Sequence, residues 1–141
     1  MQPPLLIYRI SRICFRLKLI PLCWIFDYFN RIVFRCWIPG SAQIGKKCSV
    51  GYWGIGVIIH SHAIIGDYCQ IGQHVTIGRK FTEPGVPTIG NHVYIGAHSV
   101  IYGKISIGDY AIIGSMSLVN KNVEAHTLVG GVPAKKIKDL D

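Results

Sequence analysis

The chain has 141 residues, a formal net charge of +8, half of its residues apolar and only 16% charged. That length suits a single domain, and so much apolar surface with so little charge excludes a disordered chain. Sixteen glycines punctuate the sequence, far fewer than the one residue in three of a collagen.

The positive charge is concentrated at the N-terminus. Residues 1–40 hold six basic residues, Arg9, Arg12, Arg16, Lys18, Arg31 and Arg35, against one acid, Asp27. The same stretch is rich in long apolar side chains, among them Leu5, Leu6, Ile10, Ile13, Trp24, Ile25 and Phe29. Its uncharged stretch Leu19–Phe26 is eight residues long, short of the ~18 that a membrane-spanning helix needs. No A-x-A-like site follows an apolar run, so no cleavable signal peptide is expected.

Residues 1–37 read instead as two short amphipathic helices broken at Pro21. Arg9, Arg12 and Arg16 recur on one helical face, and Asp27 and Arg31 stand at ion-pair spacing. The pair fits either a cap on the rest of the chain or on a sister subunit, or a peripheral contact with anionic lipid at the inner membrane face. Nucleic acid is not expected as a partner, because the later sequence has neither a dense basic stripe nor a recognised motif.

Cys14, Cys23, Cys36, Cys48 and Cys69 are odd in number and form no C-x-x-C pair. They are expected to be free thiols in a reducing, cytoplasmic setting rather than a disulfide framework.

From Ile44 onward the sequence repeats every six residues. Hexads begin at Ile44, Val50, Ile59, Ile65, Ile71, Ile77, Ile89, Ile95, Ile101, Ile107, Ile113, Val119 and Ala125, and nine of the thirteen second places are glycine. Fifth places are small or β-branched, as at Cys48, Ala63, Cys69, Val75, Val93, Ser99 and Ala111. A period of six cannot stay on one face of an α-helix. It suits a short strand and a sharp corner, with the first residue inward, glycine relieving strained torsions at the corner, and the fifth residue filling a narrow interior. Three such sides close one coil of 18 residues, and stacked coils bury a continuous aliphatic column.

The register breaks twice. Nine residues separate Val50 from Ile59, and twelve separate Ile77 from Ile89, the latter across the polar, proline-containing stretch Arg79–Thr88. That stretch reads as a loop leaving the column, and interruptions of a regular scaffold are natural places for function. The expected organisation is a helical segment at 1–37, a repeat domain at 38–130 with a loop at 79–88, and a C-terminal tail at 131–141.

The pattern resembles the hexapeptide-repeat acyltransferases, most closely serine acetyltransferases and their exopolysaccharide-cluster relatives. The resemblance covers about residues 38–138 and is carried by Ile38-Pro-Gly-Ser-Ala-Gln-Ile-Gly45, His74-Val-Thr-Ile-Gly78, Val93-Tyr-Ile-Gly-Ala-His-Ser-Val100, Ile107-Gly-Asp-Tyr-Ala-Ile-Ile-Gly114 and Gly130-Gly-Val-Pro-Ala-Lys-Lys-Ile137. It implies a mainly β protein, a left-handed parallel β-helix with a short N-terminal helical segment, assembled as a homotrimer with acetyl-CoA in the groove between neighbouring helices. The positions matching the family's cofactor contacts are Ala97, Ser115, Asn120, Lys121, Lys135 and Lys138. It implies an acetyl-CoA-dependent O-acetyltransferase acting on serine or on a sugar of a surface-polysaccharide precursor, with no metal expected.

Transfer of an acetyl group from a thioester to a hydroxyl needs a base, and histidine suits that role at neutral pH. His62, His74, His92 and His98 occupy outward fourth places, and His126 takes a glycine place in the last, weakly matching hexad. His60 stands at a second place, where glycine is the rule, directly after the first irregularity; it is the candidate base. Where serine acetyltransferases carry a histidine in the irregular segment this chain has Tyr52, a candidate hydrogen-bond donor to the acceptor. Position 37, a carboxylate in those enzymes, is Trp37, and loop 79–88 lacks their histidine. Two other readings share the scaffold: a γ-carbonic-anhydrase-like metalloenzyme, whose histidine triad is incomplete because position 103 is Gly beside His62 and His98, and a non-catalytic trimeric scaffold.

Overall fold

The computed structural model describes residues 1–141. Two 14-residue helices, α1 (Pro3–Arg16) and α2 (Ile20–Val33), precede a stack of short strands. Pro21 does not end a helix. It sits in the first turn of α2, where a missing N–H costs nothing, and the chain breaks one step earlier, at Lys18 with φ 59°. No helix is long and apolar enough to cross a membrane.

Fourteen strands follow, almost all of two or three residues, in three sheets that form the sides of a prism. Sheet I holds β1 (Gln43–Ile44), β4 (Ile64–Ile65), β7 (Thr88–Ile89) and β10 (Ser106–Ile107). Sheet II holds β2 (Ser49–Val50), β5 (Gln70–Ile71), β8 (Tyr94–Ile95), β11 (Ile112–Ile113), β13 (Thr127–Gly130) and β14 (Lys135–Asp139). Sheet III holds β3 (Ile58–Ile59), β6 (Thr76–Gly78), β9 (Val100–Tyr102) and β12 (Leu118–Val119), with Trp37 bridged to Ile58. All pairings are parallel except β13 with β14. This is the left-handed β-helix expected from the six-residue period.

First-place residues meet their counterparts one coil away, as Ile65 meets Ile89 and Ile71 meets Ile95. They are buried, and together with the fifth-place residues Ala63, Cys69, Val75, Val93 and Ala111 they form one core. Each buried Ile contributes about 1.5–3 kcal/mol, so the column holds without disulfides; all five cysteines are free.

The reason for glycine at second places differs from the expectation. Corner torsions in the left-handed region fall instead on fourth-place residues: Lys47, Tyr68, His74, His92, His98, Tyr110 and Met116 all have φ between 53° and 60°. Second-place glycines are required by crowding. A Cβ on Gly66 would lie 2.5 Å from the Gly90 carbonyl oxygen, and one on Gly96 would lie 2.7 Å from Ser115 Cα. The fourth-place residues stack in turn, through Tyr68, His92, Tyr110 and His126 at centroid spacings of 4.7, 4.6 and 4.9 Å. Such ring pairs return about 0.5–1.5 kcal/mol each against a left-handed cost of roughly 1–2 kcal/mol per residue.

That column also corrects the register at the C-terminus. Val123 bridges to Ile107 and Val129 pairs with Ile113, so both take first places. The hexad that starts at Val119 is therefore two residues short, and His126 occupies a fourth place, not a glycine place. Beyond residue 130 the chain is not a simple tail: it turns back and adds β14 antiparallel to β13.

The helices account for the other end. Side chains of α1 bond the backbone of the first coil, as a preceding coil would. Tyr8 Oη accepts from Ile44 N–H at 3.0 Å and donates to Ala42 O at 2.8 Å. Arg9 donates to the Ile44 and Gly45 carbonyls, Arg12 to those of Gly40 and Ser41, and Gln2 exchanges two bonds with Val50. Two of the three arginines on the expected basic face are thus turned onto the prism. The expected Asp27–Arg31 pair does not form either. Asp27 is buried and accepts from Ser11 Oγ at 2.5 Å and Gly40 N–H at 3.0 Å, because its side of α2 packs on α1.

Gly96→Ala is expected to destabilise the prism by about 1–3 kcal/mol, whereas Gly78→Ala, whose Cβ would meet only Thr76 Cγ2 at 4.0 Å, should stay within ~0.5 kcal/mol; urea unfolding midpoints of the two variants check this.

Candidate active site

Three of the four second places that break the glycine rule share one edge of the prism, where sheet III turns into sheet I. There the pairing of β3, β6, β9 and β12 stacks His60, Gly78, Tyr102 and Asn120 in consecutive coils. A Cβ is tolerated under Gly78 because Arg79–Pro87 leaves the column immediately afterwards, so no turn lies above His60. The irregularity that makes room for the histidine is therefore the loop of the following coil.

His60 is half-buried. Its Nδ1 accepts a hydrogen bond from His62 N–H at 3.2 Å, and the two rings lie 5.6 Å apart at 53°. Burial, then the neighbouring His62 and then the Arg79 guanidinium hold its pKa below the ordinary histidine value. The ring is accordingly neutral at physiological pH. With Nδ1 accepting, the neutral ring carries its proton on Nε2, as the hydrogen-bond pattern assigns it.

Tyr52 stands on a different edge, where sheet II turns into sheet III. Tyr52 and Trp53 are successive left-handed residues, at φ 48° and 55°. Tyr52 is 80% exposed, and Trp53 packs edge-on against Phe34 at 6.0 Å. Gly56 closes the segment at φ 69°, where a Cβ would lie 2.6 Å from His74 Cε1. A cavity of about 290 Å³ opens beside Tyr52, lined also by Gln2, Gly72, Gln73 and Tyr94. Ala97 stacks over Gly72 and Ser115 over Gly96 on this same edge.

The remaining cofactor candidates lie near the C-terminal end. Asn120 and Lys121 line a cavity of about 290 Å³ with Glu124, Thr127 and Lys136. Lys135 and Lys138 are exposed on β14. Lys136 pairs with Asp139 at 2.6 Å and Glu124 at 3.6 Å, whereas Lys121, Lys135 and Lys138 have no carboxylate partner.

One chain therefore brings Tyr52, Ala97 and Ser115 to one edge and His60 and Asn120 to another, with the width of sheet III between them. His60 lines none of the five principal cavities. No group of three or more His, Cys, Asp or Glu side chains is placed to hold a metal ion, and His62 and His98 lie on separate edges. Arg79 and Tyr102 belong to the His60 edge although sequence reasoning did not select them. Tyr102 was visible as another non-glycine second place; Arg79 carried no signal beyond opening the loop.

In an NMR titration the His60 ring should titrate below 6.5, and His62→Ala should move it upward, since the neighbouring ring contributes to the shift. Because the folded-state value is depressed, this contribution to stability is complete above pH 6.5 and is lost as the pH falls toward the folded value.

The family described as bacterial transferase hexapeptide (six repeats) matches residues 87–121. No curated protein matches the chain by sequence. Among solved structures, soybean serine acetyltransferase is 32% identical, with a TM-score of 0.90 over 95% of this chain and 56% of that one. The Neisseria gonorrhoeae serine acetyltransferase is 30% identical, with a TM-score of 0.91 over 96% and 54%. The Brucella abortus enzyme, solved in complex with coenzyme A, is 24% identical and shares the fold at a TM-score of 0.93 over 97% and 55%. The chain spans a little over half the length of these enzymes, and within that span it is a hexapeptide-repeat β-helix similar to serine acetyltransferases over 95–97% of its own residues.

Proposed function

We propose that this protein is an acetyl-CoA-dependent O-acetyltransferase that works as a homotrimer, in the cytoplasm, on a hydroxyl of serine or of a sugar in a surface-polysaccharide precursor. The observation that carries the reading is the likeness to serine acetyltransferases over 95% of the chain at 32% identity.

The division of candidate residues between two edges supports assembly. A complete site requires the edge with Tyr52, Ala97 and Ser115 of one copy to face the edge with His60 of the next. Ala97 and Ser115 are small and stacked, so they leave a shallow track on which a pantetheine arm can lie. Lys121, Lys135 and Lys138, free of carboxylate partners, supply cations for the cofactor phosphates.

In this reading the acceptor hydroxyl attacks the thioester carbonyl while His60 removes its proton, and the tetrahedral oxyanion collapses to expel the coenzyme A thiolate, which takes the proton back from His60. The depressed pKa keeps His60 neutral and able to act as a base. In the free chain the His62 N–H occupies Nδ1, so proton acceptance at Nε2 requires the ring to release that bond and adopt the other tautomer. Arrival of the acceptor would drive that exchange. Tyr52 of the facing copy would then donate its hydroxyl to the acceptor.

Thiol release from acetyl-CoA, measured against serine, galactosides and aminosugars, tests the proposal. His60→Ala should lower turnover about 10²–10⁴-fold while acetyl-CoA binding persists. Full turnover in that variant would remove His60 from the role; failure to bind acetyl-CoA, with no acceptor active, would remove the activity itself.

A further inference from the structure

Trp37 stands between two cavities that adjoin the strand leading to His60. One, of about 360 Å³, is walled by Trp24, Tyr28 and Trp37 and reaches Ser41 and Ser61, the latter being the residue after His60. Tyr28 meets Trp37 edge-on at 5.5 Å, and Trp24 and Tyr28 are 60% and 53% exposed. The other cavity, of about 390 Å³, is lined by Arg31, Arg35, Trp37 and Ile58. Ile58 lies two residues before His60, on the same outer side of the strand. The Arg31 guanidinium sits 5.8 Å from the centre of the Trp37 ring. Arg35, in the left-handed region at φ 56°, accepts a bond from Gly56 N–H at its carbonyl, at 2.9 Å. Neither arginine has a carboxylate partner.

Aromatic walls with hydroxyl-bearing residues among them suit a sugar, whose C–H faces lie against rings and whose hydroxyls need hydrogen-bond partners. Two unpaired guanidiniums suit a phosphate. We propose that the acceptor is a glycosyl phosphate, with its sugar ring in the aromatic cavity beside Ser61 and its phosphate across Trp37 on Arg31 and Arg35. This narrows the acetyltransferase reading, on which it rests, because the same cavities do not suit an amino acid. The ammonium of serine would need a carboxylate. The one carboxylate here, Asp27, is buried and already accepts from Ser11 Oγ and Gly40 N–H.

Calorimetric titration of the full chain without acetyl-CoA tests the proposal apart from any activity. The probes are N-acetylglucosamine 1-phosphate and galactose 1-phosphate, compared with the two free sugars, inorganic phosphate and serine. One sugar phosphate or both should bind about tenfold more tightly than the free sugar and than inorganic phosphate, and serine should not bind. Arg31→Gln/Arg35→Gln should cost about tenfold, bringing the sugar phosphate to the level of the free sugar. Trp37→Ala, and Trp24→Ala at an exposed position, should weaken sugar phosphate and free sugar alike, while Trp37→Phe retains most of the affinity and circular dichroism stays unchanged. Binding of neither sugar phosphate, equal binding of inorganic phosphate, tighter binding of serine, or full affinity in the arginine variant or in both alanine variants would each overturn the proposal. Turnover with serine and none with either sugar phosphate would overturn it and leave the acetyltransferase reading standing. Sugar-phosphate binding that follows the expected variant pattern, without acetyl-CoA binding or turnover, would uphold the site and remove that reading instead.

Discussion

Everything in this molecule depends on how closely successive coils lie. Hydrogen-bonded parallel rungs bring the backbone of one corner against that of the next, so near that at Gly66 or Gly96 a single Cβ would meet backbone atoms of the following coil. This one distance makes glycine the rule at second places, sets the fourth-place rings face to face at 4.6–4.9 Å, and leaves an interior filled by Ile, Val and the small side chains of Ala, Cys, Ser and Thr.

The candidate site follows from where that closeness is relaxed. His60 fits a glycine position because the coil above departs into loop Arg79–Pro87, and the same departure brings Arg79 near its ring. On the neighbouring edge, two consecutive left-handed residues push Tyr52 into solvent. Both candidate features are thus local failures of stacking, held in place by the regular coils on either side.

Much of this was legible in the sequence. The six-residue period, inward Ile and Val, and the two insertions gave the prism and marked His60 and Tyr52 as exceptions. Other points were hidden for physical reasons. Glycine at a second place reads equally as torsional relief or as close approach, and only the stacked backbones separate the two. The short hexad at Val119–Val123 has no distinctive residue to announce it, so the register of His126 slipped. Arg9 and Arg12 on a helix look like a solvated face; nothing in their spacing says that they bond carbonyls 28 to 36 residues away. The separation of His60 from Tyr52 is likewise a property of closing three sheets, invisible along the chain.

The treatment of the two ends has a consequence for how copies can meet. At one end α1 occupies the donors and acceptors of the first coil. At the other, Leu118 exchanges bonds with Gly131 and Ala134, and β14 runs antiparallel against β13. A stack of identical rungs is otherwise an open template that could extend chain upon chain, like a fibril. With both termini stoppered by unlike devices, lengthwise growth is closed off and flank-to-flank contact is the main route left.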